Sequence, residues 1–313
     1  MKKVGLLFPG QGSQYVGMGK DFFDRFPAAR QVFEEANETL GYNIAALCFQ
    51  GPEEELKLTA NTQPAILTAS VAALRVVQAE SELRPAAAAG HSLGEYGALV
   101  ASGGLRFSDA VRLVHLRGRF MQEAVPVGMG AMAAILGMSG PEVEALCQEA
   151  AQGEVLAPAN FNAPGQVAIA GHRSAVNRAV ALVSQQAGRK AVLLPVSAPF
   201  HCALLKPAAE RLKEELDKVE VGDLQIPVLS NAEADFYPGK DQISELLFRQ
   251  IDHPVRWEAC MGKLIETGVE LVLEVGPGKV LTGLMRRIRK EMKTANVEDG
   301  PSWGKTRVQL SAE

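Results

Sequence analysis

Cysteine is scarce in this chain, and what there is lies scattered. Cys48, Cys147, Cys202 and Cys260 form no CxxC pair, which argues against a zinc ribbon or a dithiol redox motif and predicts reduced, mostly buried thiols. Histidine is equally sparse: His91, His115, His172, His201 and His253 include no HExxH and no i,i+4 pair, so no metal site is expected. An excess of basic charge is missing as well. With 32 Lys and Arg against 36 Asp and Glu the net charge is −4, which argues against a nucleic-acid partner. No apolar run approaches the roughly 18 residues that span a bilayer. Met1-Lys2-Lys3 leads directly into a short apolar segment and not into a secretory signal. A cytoplasmic protein without a membrane partner is therefore expected; a monomer is expected as well, although nothing in these patterns fixes the oligomeric state. Repeats and low-complexity tracts are also absent.

Nucleotide-binding spacings are missing too. A dinucleotide fingerprint begun at Gly10 and Gly12 requires glycine where Tyr15 stands, and a P-loop ending at Gly19-Lys20 requires glycine at Gln14 and Ser or Thr at Asp21. The glycine-rich stretch Pro9-Gly10-Gln11-Gly12-Ser13-Gln14 is accordingly read as a backbone-donor loop for something other than a cradled triphosphate.

What is present is an alternation of apolar runs and amphipathic segments over 313 residues, 47% of them hydrophobic. That length exceeds the usual limit of one core and predicts a large domain with a smaller one inserted or appended. Residues 4–8 read as strand, 21–40 as helix, 63–78 as buried helix, and 85–89 as strand in spite of four consecutive alanines. Residues 95–102 read as a helix stopped by Gly103-Gly104, and Ser108-Asp109 caps a helix running to about residue 125. Next come strand 130–136, helix 141–151, strands 155–161 and 167–170, helix 174–187 and strand 191–196. This β-α-β-β-α-β order is the ferredoxin-like arrangement, and about seventy residues suffice for it as a self-contained insert. The large domain resumes near Ser197 with a helix at 207–219, a short strand at 227–230, a helix at 243–251 and a strand, turn and helix over 271–288. The last twenty residues or so are polar and weakly patterned, and partial disorder is expected there. The expected architecture is α/β: a hydrolase-like large subdomain with a mostly parallel sheet, residues 1–126 and 197–313, and an inserted ferredoxin-like small subdomain, residues 127–196.

The chemistry-bearing stretch is Gly90-His91-Ser92-Leu93-Gly94-Glu95-Tyr96. A GxSxG pattern places a serine on a sharp strand-to-helix turn, with small flanking residues leaving the hydroxyl open to substrate. The same residues also suit a plain glycine-rich turn with a capping serine. A serine hydroxyl is un-ionised at neutral pH and needs a base. His201, in Ser197-Ala198-Pro199-Phe200-His201-Cys202 after an apolar strand, has the most suggestive setting. His115, His172 and His253 read as satisfied surface histidines, and His91 points away from the serine if it continues the alternation of the preceding strand.

Together with Phe8-Pro9-Gly10-Gln11-Gly12-Ser13-Gln14, Asn61-Thr62-Gln63-Pro64-Ala65, Arg117, Asn160-Phe161-Asn162-Ala163-Pro164-Gly165-Gln166, Pro199-Phe200-His201 and Glu274-Val275-Gly276-Pro277-Gly278, the serine motif resembles the malonyl-CoA:acyl carrier protein transacylase family of bacterial fatty-acid synthesis. The resemblance runs in order from residue 1 to about 290, and several separate motifs agreeing is more specific than any one. It implies a hydrolase-like large subdomain with a ferredoxin-like insert and the active site between them. It implies Ser92 as nucleophile, His201 as general base, and the backbone N–H groups of Gln11 and Leu93 as oxyanion hole. The backbone carbonyl of Gln250 would orient the imidazole in place of a carboxylate, and Arg117 would bind the free carboxylate of the malonyl group. On residue pattern alone Arg112 and Arg119 fit that last role equally well.

The implied substrates are malonyl-CoA and the phosphopantetheine thiol of acyl carrier protein, in a ping-pong cycle that needs no metal or redox cofactor. Arg286-Arg287-Arg289-Lys290 or Lys206-Arg211-Lys213 would meet the acidic carrier. Phe200, His91 and Asn162 are the candidate pocket residues for acyl selectivity. Many discrete members of the family carry serine where Phe200 stands, whereas malonyl-selective domains of polyketide synthases carry phenylalanine. A ring there predicts malonyl over methylmalonyl, and a trans-acting polyketide acyltransferase stays open. A serine esterase or thioesterase would need a carboxylate third member and water as acceptor. A non-catalytic carrier-binding module would tolerate loss of Ser92.

Overall fold

Strand β1 (Val4–Phe8) is buried along its whole length, as expected for a strand covered on both faces. We describe it in a computed structural model that covers residues 2–196 and 198–311; Ser197, expected to begin the return to the large domain, lies outside the described residues. Helices α1 (Lys20–Arg25), α2 (Pro27–Leu40), α3 (Ile44–Gln50), α4 (Glu53–Leu56) and α5 (Thr59–Glu80) follow β1, then β2 (Ala87–Gly90), α6 (Gly94–Ser102) and α7 (Phe107–Ala124). The middle of the chain forms β3 (Gly130–Leu136), α8 (Gly140–Ala151), β4 (Leu156–Ala163), β5 (Gln166–His172), α9 (Arg173–Ser184) and β6 (Lys190–Leu193). The remainder forms α10 (Lys206–Leu216), α11 (Ile243–Gln250), α12 (Trp257–Glu266), β7 (Leu271–Val275), α13 (Val280–Ile288), β8 (Lys293–Val297) and α14 (Gly300–Ser311).

Two sheets result. The first is parallel, in the order β2-β1-β7-β8. The second is antiparallel, in the order β4-β5-β3-β6, which is the ferredoxin-like order read from its far edge. The carboxyl ends of β1, β2 and β7 open into the loops before α1, α6 and α13, the position at which an open α/β sheet binds ligands.

Several expectations are corrected. The helix at 21–40 is two helices, because Phe26 is extended (φ −123°, ψ 117°) ahead of Pro27, a residue that disfavours helix in its predecessor. Helix α5 starts four residues before the expected 63 and runs through Pro64. The carbonyl that Pro64 leaves without a helical donor, that of Ala60, accepts from His115 Nδ1 at 3.0 Å. Ser108 and Asp109 do not cap α7; its N-cap is Arg106, whose Nε meets Asp109 Oδ2 at 2.7 Å. Residues 227–230 make only isolated bridges, Ala88 with Val228 and Leu229 with Phe236, and β6 stops at Leu193. The C-terminal stretch expected to be partly disordered forms β8 and α14, because β8 pairs with β7 and buried Val297 and Trp303 anchor it. Sequence periodicity missed α3, α4 and α12. All four cysteines are buried free thiols, as expected.

The turn from β2 into α6 is possible only with glycine at two places. A Cβ on Gly90 would lie 1.9 Å from the carbonyl of Gly94, and one on Gly94 would lie 2.1 Å from the carbonyl oxygen of Phe8. Both obstacles are backbone, so nothing can rotate aside. Gly90→Ala is expected to cost about 3 kcal/mol, the upper part of the overpacking range, read as a lowered urea midpoint. An unchanged midpoint would show that the elbow can spread.

Candidate active site

Ser92 occupies the tip of that turn with φ 53°, a left-handed backbone that side chains other than glycine seldom adopt. Such a conformation costs roughly 1–2 kcal/mol and persists because the surroundings hold both of its backbone groups. Ser92 N–H donates to Asn231 Oδ1 at 2.6 Å, and Ser92 O accepts from Gln250 Nε2 at 2.9 Å. His201, from the loop before α10, also has positive φ (59°). Strain at two facing residues points to a site whose geometry is imposed.

The Ser92 hydroxyl lies 2.7 Å from His201 Nε2, and His201 Nδ1 lies 2.8 Å from the backbone oxygen of Gln250. A carbonyl can only accept, so Nδ1 carries the proton and Nε2 is the acceptor for Ser92 O–H. Among the described residues no carboxylate is hydrogen-bonded to the ring. Burial, and after it the cation of Arg117, push the imidazole down to about 3, so it is neutral and basic in form at physiological pH.

Arg117 projects from α7 into the same space and is 2% exposed. Its Nη2 donates to Ser92 Oγ at 3.0 Å and to Gln250 Oε1 at 2.8 Å, and its Nη1 donates to Gln63 Oε1 at 2.8 Å. Burial lowers its pKa, and Nε is buried without a partner among the described residues. The two rival arginines are accounted for elsewhere: Arg112 pairs with Glu215 at 2.8 Å and Arg119 with Glu123 at 3.7 Å.

A cavity of about 220 Å³ joins these groups. The parallel-sheet side contributes Gln11, Ser92, Leu93 and Arg117, and the antiparallel sheet contributes Met132, Asn160, Asn162 and Ala168. Gln11 and Leu93 both line it, and among the described residues neither backbone N–H donates to a protein acceptor. Phe200, 8% exposed, walls the cavity next to His201. His91 does not point away as expected. It lines the cavity, donating from Nε2 to Asn162 Oδ1 at 2.8 Å and so tying the two sides together, because the chain has already left strand geometry at the elbow.

His115, His172 and His253 take no part; His172 Nδ1 accepts from Val155 N–H at 2.9 Å and His253 contacts Asp252. Of the two basic runs, Arg286, Arg287, Arg289 and Lys290 lie on or just beyond α13, whose Val280, Leu281 and Leu284 also line the cavity. Lys206, Arg211 and Lys213 belong to α10, where Arg211 pairs with Glu123 and Lys213 with Asp217. The residue pattern assigns no separate site role to Gln63, Asn160, Glu95 or Asn231. Gln63, Asn160 and Glu95 sit inside the motif stretches, whereas Asn231, in a loop far from any of them, has no sequence signal.

The acyl transferase domain family matches residues 6–306 of the chain. The malonyl CoA-acyl carrier protein transacylase of Escherichia coli is 50% identical over 302 residues, covering 96% of this chain and 97% of that protein. The crystal structure of the Clostridium perfringens malonyl CoA-acyl carrier protein transacylase matches with a TM-score of 0.95 at 43% identity, covering 98% of this chain and 97% of that one. A malonyl-transacylase in complex with its type II PKS acyl-carrier protein matches with a TM-score of 0.93 at 48% identity, covering 96% and 97%. With its elbow serine, its neutral histidine and these relatives, the chain belongs to the acyl transferase domain family, among the malonyl CoA-acyl carrier protein transacylases.

Proposed function

We propose that the protein transfers the malonyl group of malonyl-CoA to the phosphopantetheine thiol of acyl carrier protein and so supplies extender units for fatty-acid synthesis. The observation that carries this reading is the buried Arg117 fork 3.0 Å from the Ser92 hydroxyl. A hydrolase of simple esters has no use for a buried cation there, whereas a dicarboxylic acyl group brings a second carboxylate that a guanidinium binds through two parallel charge-assisted hydrogen bonds.

In the first half-reaction Ser92 Oγ attacks the thioester carbonyl and its proton passes to His201 Nε2. The Gln11 and Leu93 N–H groups stabilise the oxyanion, each such donor being worth about 3–4 kcal/mol. The C–S bond breaks, the departing sulfur takes the proton from His201, and a malonyl-Ser92 ester remains. The carrier thiol then gives its proton to His201 and reverses these steps. Atoms and charges balance without a metal or redox cofactor. The Gln250 carbonyl fixes the tautomer without stabilising an imidazolium as a carboxylate would, which suits a base that must release its proton in both directions.

Residues 127–196 are read as the small subdomain and 1–126 with 197–313 as the large one, with the acyl group between them. The basic end of α13, whose first turns line the cavity, is the reading favoured for the carrier's acidic surface. Phe200 crowds an α-methyl branch, and His91 with Asn162 forms a further part of the wall. The test is steady-state transfer to the carrier with malonyl-CoA and methylmalonyl-CoA offered separately. Parallel reciprocal plots and a strong malonyl preference are expected; transfer to water in place of carrier would contradict the reading, and equal turnover of both thioesters would remove the role of Phe200.

The base also sets a pH signature. A histidine with a depressed pKa loses its function only when pH falls through the folded value, about 3, and not near the ordinary value of about 6.5. Acylation of Ser92, followed by rapid quench, is expected to be flat through that ordinary value. An inflection near it would show that the imidazole is less desolvated than its burial implies.

A further inference from the structure

Glu95 stands in the first turn of α6, fully buried, and no step above uses it. A carboxyl without exposure is costly unless its lone pairs are satisfied. Tyr237 Oη donates to Oε1, while Asn231 N–H at 3.0 Å and Gln250 Nε2 at 2.8 Å donate to Oε2. All three neighbours donate, so the pocket is built around an acceptor. Burial pushes the carboxyl up to about 7, against the pull of these donors and of Arg117.

Two of the donors lead to the reacting groups. Asn231 holds Ser92 N–H through Oδ1 and Gly90 O through Nδ2 (2.7 Å), bracketing the elbow. Gln250 is a branch point: its backbone oxygen holds His201, its Oε1 accepts from Arg117, and its Nε2 donates to both Ser92 O and Glu95. A primary amide can turn over and exchange its two ends. Turned over, Gln250 would present an NH₂ to the Arg117 cation. The acceptors on Glu95 and on Ser92 O together prevent this by fixing which end faces which.

We propose that Glu95 is a positioning residue that, through Gln250 and Asn231, keeps the Arg117 fork and the Ser92 backbone in register. The inference rests on the reading of Arg117 as the clamp for the malonyl carboxylate. It predicts a selectivity effect, because an acetyl group has no carboxylate to register against the fork.

The test is the rate of acyl-enzyme formation from malonyl-CoA and from acetyl-CoA in the whole protein, for Glu95→Gln, Gln250→Leu and the double variant. Glu95→Gln puts an NH₂ among three donors; Gln250→Leu keeps the backbone carbonyl on His201 and removes the side-chain bonds to Glu95, Ser92 O and Arg117. Each is expected to slow malonylation about 100-fold, the scale of a misplaced reacting group, and acetylation about tenfold less than that. The double variant should lose less than the product of the two single losses, because both cut the Glu95–Gln250 link. The Asn231 link is disturbed only in the first, and the direct bonds to Arg117 and Ser92 O are lost only in the second. Equal fractional losses for the two thioesters, or losses that multiply in the double variant, would overturn the proposal. If Glu95→Gln shows no cooperative unfolding, Gln250→Leu decides alone: a lowered malonyl-to-acetyl ratio supports the link and an unchanged ratio overturns it. Failure of the unaltered protein to accept malonyl from malonyl-CoA would overturn the functional reading instead.

Discussion

Ser92→Ala is expected to abolish the acyl-enzyme and to lower malonyl transfer by roughly 10⁶-fold, the scale on which a serine nucleophile activated by histidine contributes. The expectation follows from how little else in the cavity can attack a thioester. Ser92 Oγ receives a hydrogen bond from Arg117 Nη2 and gives its own proton to His201 Nε2, so one lone pair is left free on a residue that lines the cavity. Cys202, the residue after His201, is buried, its thiol pushed up to about 11 by that burial, and its Sγ points at Pro199 O at 3.2 Å. A thiolate is therefore unavailable there. The measurement is transfer of labelled malonyl to carrier protein over hours. Activity within about tenfold of the unaltered enzyme would mean direct transfer without a covalent step and would remove the role assigned to the elbow.

Arg117→Ala is expected to separate substrates. A desolvated charge pair is worth about 4 kcal/mol when one partner is truncated, so kcat/KM for malonyl-CoA should fall about a thousandfold. Acetyl-CoA, which offers no second carboxylate, should lose far less. Part of any general loss has a structural origin: the alanine leaves Gln63 Oε1 and Gln250 Oε1 without their donor, and a buried acceptor left unmet costs about 1–3 kcal/mol. Arg117→Lys supplies a charge without the fork and should recover little. The measurement is kcat/KM for both thioesters in each variant. Equal losses for acetyl and malonyl would make Arg117 a structural member of the Gln63–Gln250 network only.

How much of this is legible in the amino-acid sequence depends on the range of the interaction. The elbow is local: Gly90 and Gly94 are required by clashes with backbone a few residues or one strand away, and GxSxG states it directly. The β-α-β-β-α-β order of the insert follows from alternating periodicities. By contrast, choosing Arg117 over Arg112 requires knowing that Arg112 meets Glu215, a partner set by the packing of α7 on α10, whereas Arg119 and Glu123 form an i,i+4 pair within α7 itself. Helix α5 hides its true start behind Pro64, and only the His115 ring, supplied from α7, completes the bonding there. The tail reads as polar because one edge strand and one helix face need few apolar residues, and Trp303 and Val297 suffice. Glu95 is inside the most conspicuous motif of the chain, yet its surroundings come from Asn231, Tyr237 and Gln250, whose proximity no spacing rule reveals.

The account stands or falls on a covalent malonyl group at one residue. The direct measurement is the intact mass of the protein after malonyl-CoA, followed by addition of carrier protein bearing its phosphopantetheine thiol, with the modified peptide sequenced. A mass gain of one malonyl group on Ser92 that disappears into the carrier faster than it hydrolyses is the predicted result. No gain, a gain on another residue, or loss to water at the same rate with and without carrier would contradict it.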